Sequence, residues 1–113
     1  MKKFTTLFFV VSVLASCTFE KAKPLPVGCA STIFYAADVK PIIDANCSIP
    51  GCHEPAGSGT GDFTTYPDLK AAVDNGTYNN DLFVTKTMPQ GGSLTEDQLS
   101  KLRCWMQQGA PNN

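Results

Sequence analysis

Histidine occurs once in this 113-residue chain, tryptophan occurs once, and charged residues make up only 17% of it. With a single imidazole, no Ser-His-Asp arrangement can be picked out and other acid–base schemes are limited. Large apolar residues are scarce as well: residues 17–113 hold 21 Val, Ile, Leu, Met, Phe and Trp among 97 positions. Such a chain buries a thin core and is marginal without reinforcement, so a cofactor or a disulfide is expected. Basic charge is also short, with seven Lys and Arg against ten Asp and Glu over residues 17–113, a balance of −3 that offers nucleic acid nothing. The length allows one small domain, which excludes multidomain enzymes, transmembrane bundles and coiled coils. What is in excess is cysteine, five in so short a chain.

Residues 1–16 begin with Lys2 and Lys3, continue as an apolar stretch from Leu7 to Ala15 broken only by Ser12, and end in small residues before Cys17. This pattern reads as a bacterial export signal. The stretch is about half of the roughly 20 residues a spanning helix requires, so a helical membrane anchor is not expected. Leu14-Ala15-Ser16-Cys17 resembles the lipobox of bacterial lipoproteins, whose cysteine receives lipid. The resemblance implies lipidation at Cys17, a chain held on the periplasmic or cell-surface side of a bacterial membrane, and a folded part in water. Residues 17–28, with Lys21, Lys23, Pro24 and Pro26, read as a tether, and residues 29–113 as the folded domain.

Within that domain the pattern is all-α, about three helices joined by long Gly- and Pro-rich loops. The first helix is expected near Asp38 to Asn46, with Asp38 as cap, Pro41 in the first turn, and Val39, Ile42 and Ile43 on one face. The second is expected near Pro67 to Asp74, short and peripheral, with Thr65 and Asp68 in capping-box spacing and Asn75-Gly76 as its stop. The third is the best signalled: Thr95 and Gln98 form a T-x-x-Q capping box, Leu94 and Leu99 sit at staple positions, and Gly109 and Pro111 end it. Leu99, Leu102, Trp105 and Met106 make its apolar face. Leu82 to Met88 has strand-like composition but no partner strand, and is read as extended loop. The glycines from Gly57 to Gly61 lack a P-loop lysine and are read as a flexible loop, and the neighbouring Phe63 and Tyr66 as packing outside any site.

Cys47-Ser48-Ile49-Pro50-Gly51-Cys52-His53 puts two thiols and the only imidazole within seven residues. The segment resembles the haem-attachment motif of c-type cytochromes, in which two thiols add to the haem vinyl groups and the adjoining histidine ligates iron. The usual spacing is C-x-x-C-H; here the spacer has four residues, as in longer-spaced variants, and Pro50-Gly51 can loop out the extra two. Ala37 to Ile43 and Leu102 to Ala110 look like the N- and C-terminal helices of small bacterial monohaem cytochrome c domains. Thr87-Met88-Pro89 resembles the family's distal Met-Pro segment, where a thioether is the second axial ligand. The resemblance therefore implies one covalent haem c on Cys47 and Cys52, iron ligated by His53 and Met88, and single-electron transfer between redox proteins by a monomer. Met106 is the fallback ligand. Peroxidase-like activity would require an open sixth position.

With Cys17 lipidated and Cys47 and Cys52 attached to haem, Cys29 and Cys104 remain, and an exported protein tends not to leave two free thiols. These two are expected to form a disulfide. Two other readings stay open: a zinc module built on Cys47, Cys52, His53 and one of Cys29 or Cys104, and a haem-free, disulfide-stapled lipoprotein that acts as a binding module.

Overall fold

Pro41 has no N–H to donate, and its ring crowds the carbonyl four residues before it. In the computed structural model, which describes residues 24–113, the turn leading into it is widened: Tyr35–Val39 is π-helical, with the Lys40 N–H reaching back to the Tyr35 carbonyl. Helix α1 (Lys40–Asn46) follows directly. Asp38 is therefore not the N-cap. Phe34 holds that position, and Asp38 Oδ2 accepts its N–H at 2.9 Å.

Helix α2 (Tyr66–Asp74) starts at Thr65 without the expected capping box. Asp68 instead accepts from the Asp62 N–H at 3.3 Å and Thr65 Oγ1 donates to the Asp62 carbonyl at 3.3 Å, so the preceding loop has taken both side chains. Nor is this helix peripheral, because Leu69 is fully buried and Ala72 nearly so. It stops where expected, with Asn75 as C-cap and Gly76 at φ 85°.

The chain then departs from its sequence reading. A single turn, α3 (Thr77–Asn79), leads into a second π-helical stretch, Asn80–Val84. Leu82 to Val84 are thus helical, and only the following residues, up to Met88, run without regular structure. Tyr78 and Leu82, four apart, are both buried on one face, and the turn is closed by the Thr85 N–H on Asn80 O.

Helix α4 (Glu96–Gln107) follows its signals closely. Thr95 Oγ1 accepts from the Gln98 N–H at 3.2 Å while Gln98 Oε1 accepts from the Thr95 N–H at 2.9 Å, a complete capping box. At the other end Gly109 sits at φ 95°, the Gly109 N–H bonds to Met106 O and the Ala110 N–H to Trp105 O, which is a Schellman stop. Leu102 and Trp105 are fully buried, while Leu99 and Met106 are half-buried. Four helices and two π-helical turns, with no strand among the described residues, make the domain all-α.

Trp105 organises the core. Tyr35 stacks on it with centroids 5.7 Å apart, Tyr78 meets it edge-on at 6.2 Å, and Tyr66 meets Tyr35 edge-on at 5.1 Å. The polar ends are tied to the C-terminal segment: Trp105 Nε1 donates to Pro111 O at 2.9 Å and Tyr66 OH to Ala110 O at 2.8 Å. That segment also closes on the start of the domain, where the Ala36 N–H donates to Asn113 O and the Tyr35 N–H to Asn113 Oδ1. Beside Trp105, Cys104 is joined to Cys29 as a disulfide, with a Cα separation of 5.6 Å. Three exposed ion pairs, Lys40–Asp44, Lys70–Asp74 and Lys101–Asp97, lie on outer helix faces and contribute little. The end of the tether is ordered as a turn, the Cys29 N–H donating to Pro26 O at 3.1 Å, while the leader and Cys17 lie outside the described residues. No described helix is long and apolar enough to cross a membrane.

A cross-link spanning 75 residues removes about 4 kcal/mol of denatured-state entropy in the chain-entropy account. The double variant Cys29→Ser, Cys104→Ser is expected to lose about 2–5 kcal/mol in urea unfolding followed by far-UV circular dichroism. An unchanged midpoint would show that the bridge does not form.

Candidate functional site

The spacer between the two free cysteines is a tight turn. Ile49 O accepts the Cys52 N–H at 3.0 Å, with Pro50 at the first corner and Gly51 at the second with φ 84°, the residue order of a type II turn. Two residues are thereby looped out, and the His53 N–H reaches back to Cys47 O at 3.0 Å. Both thiols are half-buried and unbridged. Burial pushes the Cys47 thiol up to about 11, with the neighbouring Cys52 adding to the shift.

The stretch after His53 is not the flexible loop its glycines suggest. Gly57 and Gly59 donate to Glu54 O and Cys52 O, Ser58 Oγ donates to Gly51 O at 3.0 Å, and the Glu54 carboxylate accepts the Gly51 N–H at 2.8 Å. The glycines are there for close approach: a Cβ on Gly57 would lie 1.8 Å from Cys52 O, and one on Gly59 would lie 2.8 Å from His53 Nδ1. His53 Nδ1 lies 3.0 Å from Thr60 O, and because a carbonyl only accepts, Nδ1 is the donor, which in the neutral ring places the lone pair on Nε2. Phe63 stacks on the imidazole with centroids 4.1 Å apart and planes 5° from parallel, and its N–H donates to His53 O.

Met88 arrives from the opposite direction in sequence. The π-helical turn ends with the Thr85 N–H on Asn80 O, and the Met88 N–H then donates to Asp81 O at 3.2 Å, which folds the Thr85–Met88 strand of chain back over the turn. Cys47, Cys52, His53 and Met88 all line one cavity of about 530 Å³, within the size range of ligand and cofactor sites. Ile43, Tyr78 and Leu82 supply apolar lining, and Tyr78 is so buried that its phenol is held neutral far above its ordinary range, with Cys47 contributing. No lysine or arginine is among the described residues that line it; its polar groups include the amides of Asn46, Asn75 and Gln90.

The four sequence-identified site residues are thus brought to one cavity, and Met106 is not among the residues lining it. Cys29 and Cys104 are bonded to each other, which withdraws them from the zinc set, and no three His, Cys, Asp or Glu side chains among the described residues are grouped to hold a metal ion. Sequence reasoning missed Thr60, whose backbone carbonyl leaves no sequence signal, and set aside Phe63, which lies in the cavity against His53. Gly59 carried a signal in its place six residues after the histidine, but a close approach cannot be told from a flexible tract by composition. No protein-family model matches the chain, and neither a curated protein nor a solved structure matches it.

With its thiol held up to about 11, Cys47 reacts as a thiolate only as pH climbs toward that value. In the cofactor-free chain, iodoacetamide labelling mapped by mass spectrometry is expected to leave Cys47 largely unmodified at pH 8 and to rise about tenfold per pH unit up to pH 10. Full labelling of Cys47 at pH 8 under brief exposure would contradict the burial.

Proposed function

We propose that the protein is a small monohaem c-type cytochrome, exported and lipid-anchored through Cys17, that carries single electrons. The observation that supports this most is the convergence of Cys47, Cys52, His53 and Met88 on one cavity of about 530 Å³. The donor set fits the group. Two unbridged thiols are what covalent attachment requires, and an imidazole whose Nδ1–H is engaged by a carbonyl has the tautomer of a metal-ligating histidine. The amides of Asn75 and Gln90 line the cavity and could donate to haem carboxylates, whereas Asn46 Nδ2 is already given to Ile42 O and Asp68 and Asp81 add negative charge to the lining.

In this reading Cys47 and Cys52 would hold the haem through thioethers, and His53 and Met88 would bind its iron. When bound, haem supplies a one-electron iron couple, with a potential raised by a thioether ligand. The chain does the rest. The Thr60 carbonyl keeps the His53 proton on Nδ1, the Asp81 carbonyl secures the backbone at Met88, and Ile43, Leu82 and Tyr78 give the cavity an apolar wall. No substrate has to reach iron, so the protein is read as a carrier rather than an enzyme. Its partners are redox proteins, and the balance of −3 over residues 17–113 mildly favours basic ones.

The test is a pyridine haemochrome spectrum after acid–acetone extraction, on protein matured in its native host or in one with broad cytochrome c maturation. A c-type spectrum that stays with the polypeptide is expected. Met88→Leu is expected to keep the covalent haem and convert a six-coordinate, low-spin spectrum to a five-coordinate, high-spin one. Protein without haem, carrying oxidised Cys47 and Cys52, would overturn the reading and favour a disulfide-stapled binding module.

A further inference from the structure

An imidazole held by one hydrogen bond is still free to pivot about that bond, because terminal sp³–sp² torsions are broad and carbonyl acceptors tolerate a wide range of directions. His53 has no regular secondary structure around it to restrict the pivot. Two other contacts do so. Phe63 lies 4.1 Å from the imidazole centroid at 5° from parallel, close enough that any rotation of the plane would drive one edge into the phenyl ring. Gly59 comes so near that a Cβ there would stand 2.8 Å from Nδ1, 2.9 Å from Cε1 and 3.0 Å from Cγ, so the ring has no space to swing across that residue.

Phe63 is itself anchored. Its N–H donates to His53 O at 3.0 Å, which fixes the distance between the two backbones, and its ring packs against Gly61, where a Cβ would lie 3.0 Å from Cε1. Gly61 sits at φ 88°, a conformation that directs the chain from Thr60, whose carbonyl holds Nδ1, to Phe63, which holds the plane. One eleven-residue segment, from His53 to Phe63, therefore contains the imidazole and every group that restrains it.

We infer that Phe63 and Gly59 are positioning residues that lock the plane of the His53 imidazole, so that the ring meets iron in one fixed rotation about the metal–nitrogen bond. The inference rests on the reading of His53 as an axial ligand. The physical consequence is that the imidazole plane sets how its π system overlaps the iron d orbitals, and hence the orbital splitting of the ferric ion. A ligand held to within about 10–20° of one geometry gives one splitting; a pivoting ligand gives a spread.

The test uses full-length wild type, Phe63→Tyr and Phe63→Leu, with folding checked by circular dichroism and haem content by the haemochrome spectrum. In haem-loaded ferric protein, electron paramagnetic resonance is expected to give one narrow set of g values in wild type and Phe63→Tyr, and shifted or broadened g values in Phe63→Leu at equal haem content. Unchanged g values and linewidths in Phe63→Leu would overturn the inference. Chain that carries no haem is read by NMR instead: the His53 ring protons are expected to lie upfield under the Phe63 ring current in wild type and Phe63→Tyr and to lose that displacement in Phe63→Leu. Should Phe63→Leu not fold, wild type alone decides by nuclear Overhauser contacts between the His53 and Phe63 rings, whose absence counts against the lock. A negative haemochrome result with those contacts present would defeat the cytochrome reading and leave the plane restraint standing.

Discussion

Everything in this domain hangs on the docking of α4 against the π-helical turn at Tyr35–Val39. A chain with so few large apolar residues has no surplus with which to build a second core, so the one it has must be cross-braced. Cys104 and Trp105, adjacent on α4, do this in two ways: the first is bonded to Cys29, and the second takes Tyr35 on its face and Tyr78 on its edge. Hydrogen bonds from Trp105, Tyr66, Tyr35 and Ala36 to residues 110–113 then tie the end of the chain to its beginning. Because Tyr78 belongs to the segment that leads to Met88, and Tyr35 to the one that leads into α1 and Cys47, the same tryptophan sets the separation of the two halves of the cavity.

That arrangement explains why the site is made of two independently secured pieces. The Cys47–Phe63 piece is closed by its own turns and glycine contacts, and it holds both thiols and the imidazole. The Tyr78–Met88 piece is closed by i to i−5 hydrogen bonding and by the Met88 N–H on Asp81 O. Each restrains its donors locally, and the aromatic core restrains one piece against the other. Preorganisation of this kind would serve the redox role proposed above, since ligands that do not move on electron transfer add little to its barrier.

Local signals in the sequence carried part of this and not the rest. Helix α4 was legible because its capping box, its apolar face and its glycine stop all lie within fifteen residues of one another and agree. The Cys29–Cys104 pairing was expected only because assigning Cys17 to lipid and Cys47 and Cys52 to haem leaves these two over, and nothing in the residues near either thiol announces it. The Asn80–Val84 turn was not legible, because Leu-Phe-Val composition suits a strand as well as a helix, and the i to i−5 hydrogen bonding that distinguishes the turn has no mark in composition. At the site, the four chemically distinctive residues were legible, while the groups that orient them were not: a backbone carbonyl at Thr60, a phenyl ring at Phe63 and missing Cβ atoms at Gly57 and Gly59 have no signature apart from the fold that uses them.

The four-residue spacer follows from the same logic. A two-residue spacer leaves the thiols on one tight stretch of backbone, whereas Ser48-Ile49-Pro50-Gly51 puts a complete turn between them and lets the His53 N–H close back on Cys47 O. The turn therefore returns the His53 N–H to the Cys47 carbonyl, six residues on, by a route that spends the extra length on Pro50 and Gly51. The corner residues of this closure, Pro50 and Gly51, are those that a type II turn selects. Gly51 is the constrained position of the spacer: its positive φ is strained for any residue with a Cβ, while Ser48 and Ile49 carry no comparable backbone demand.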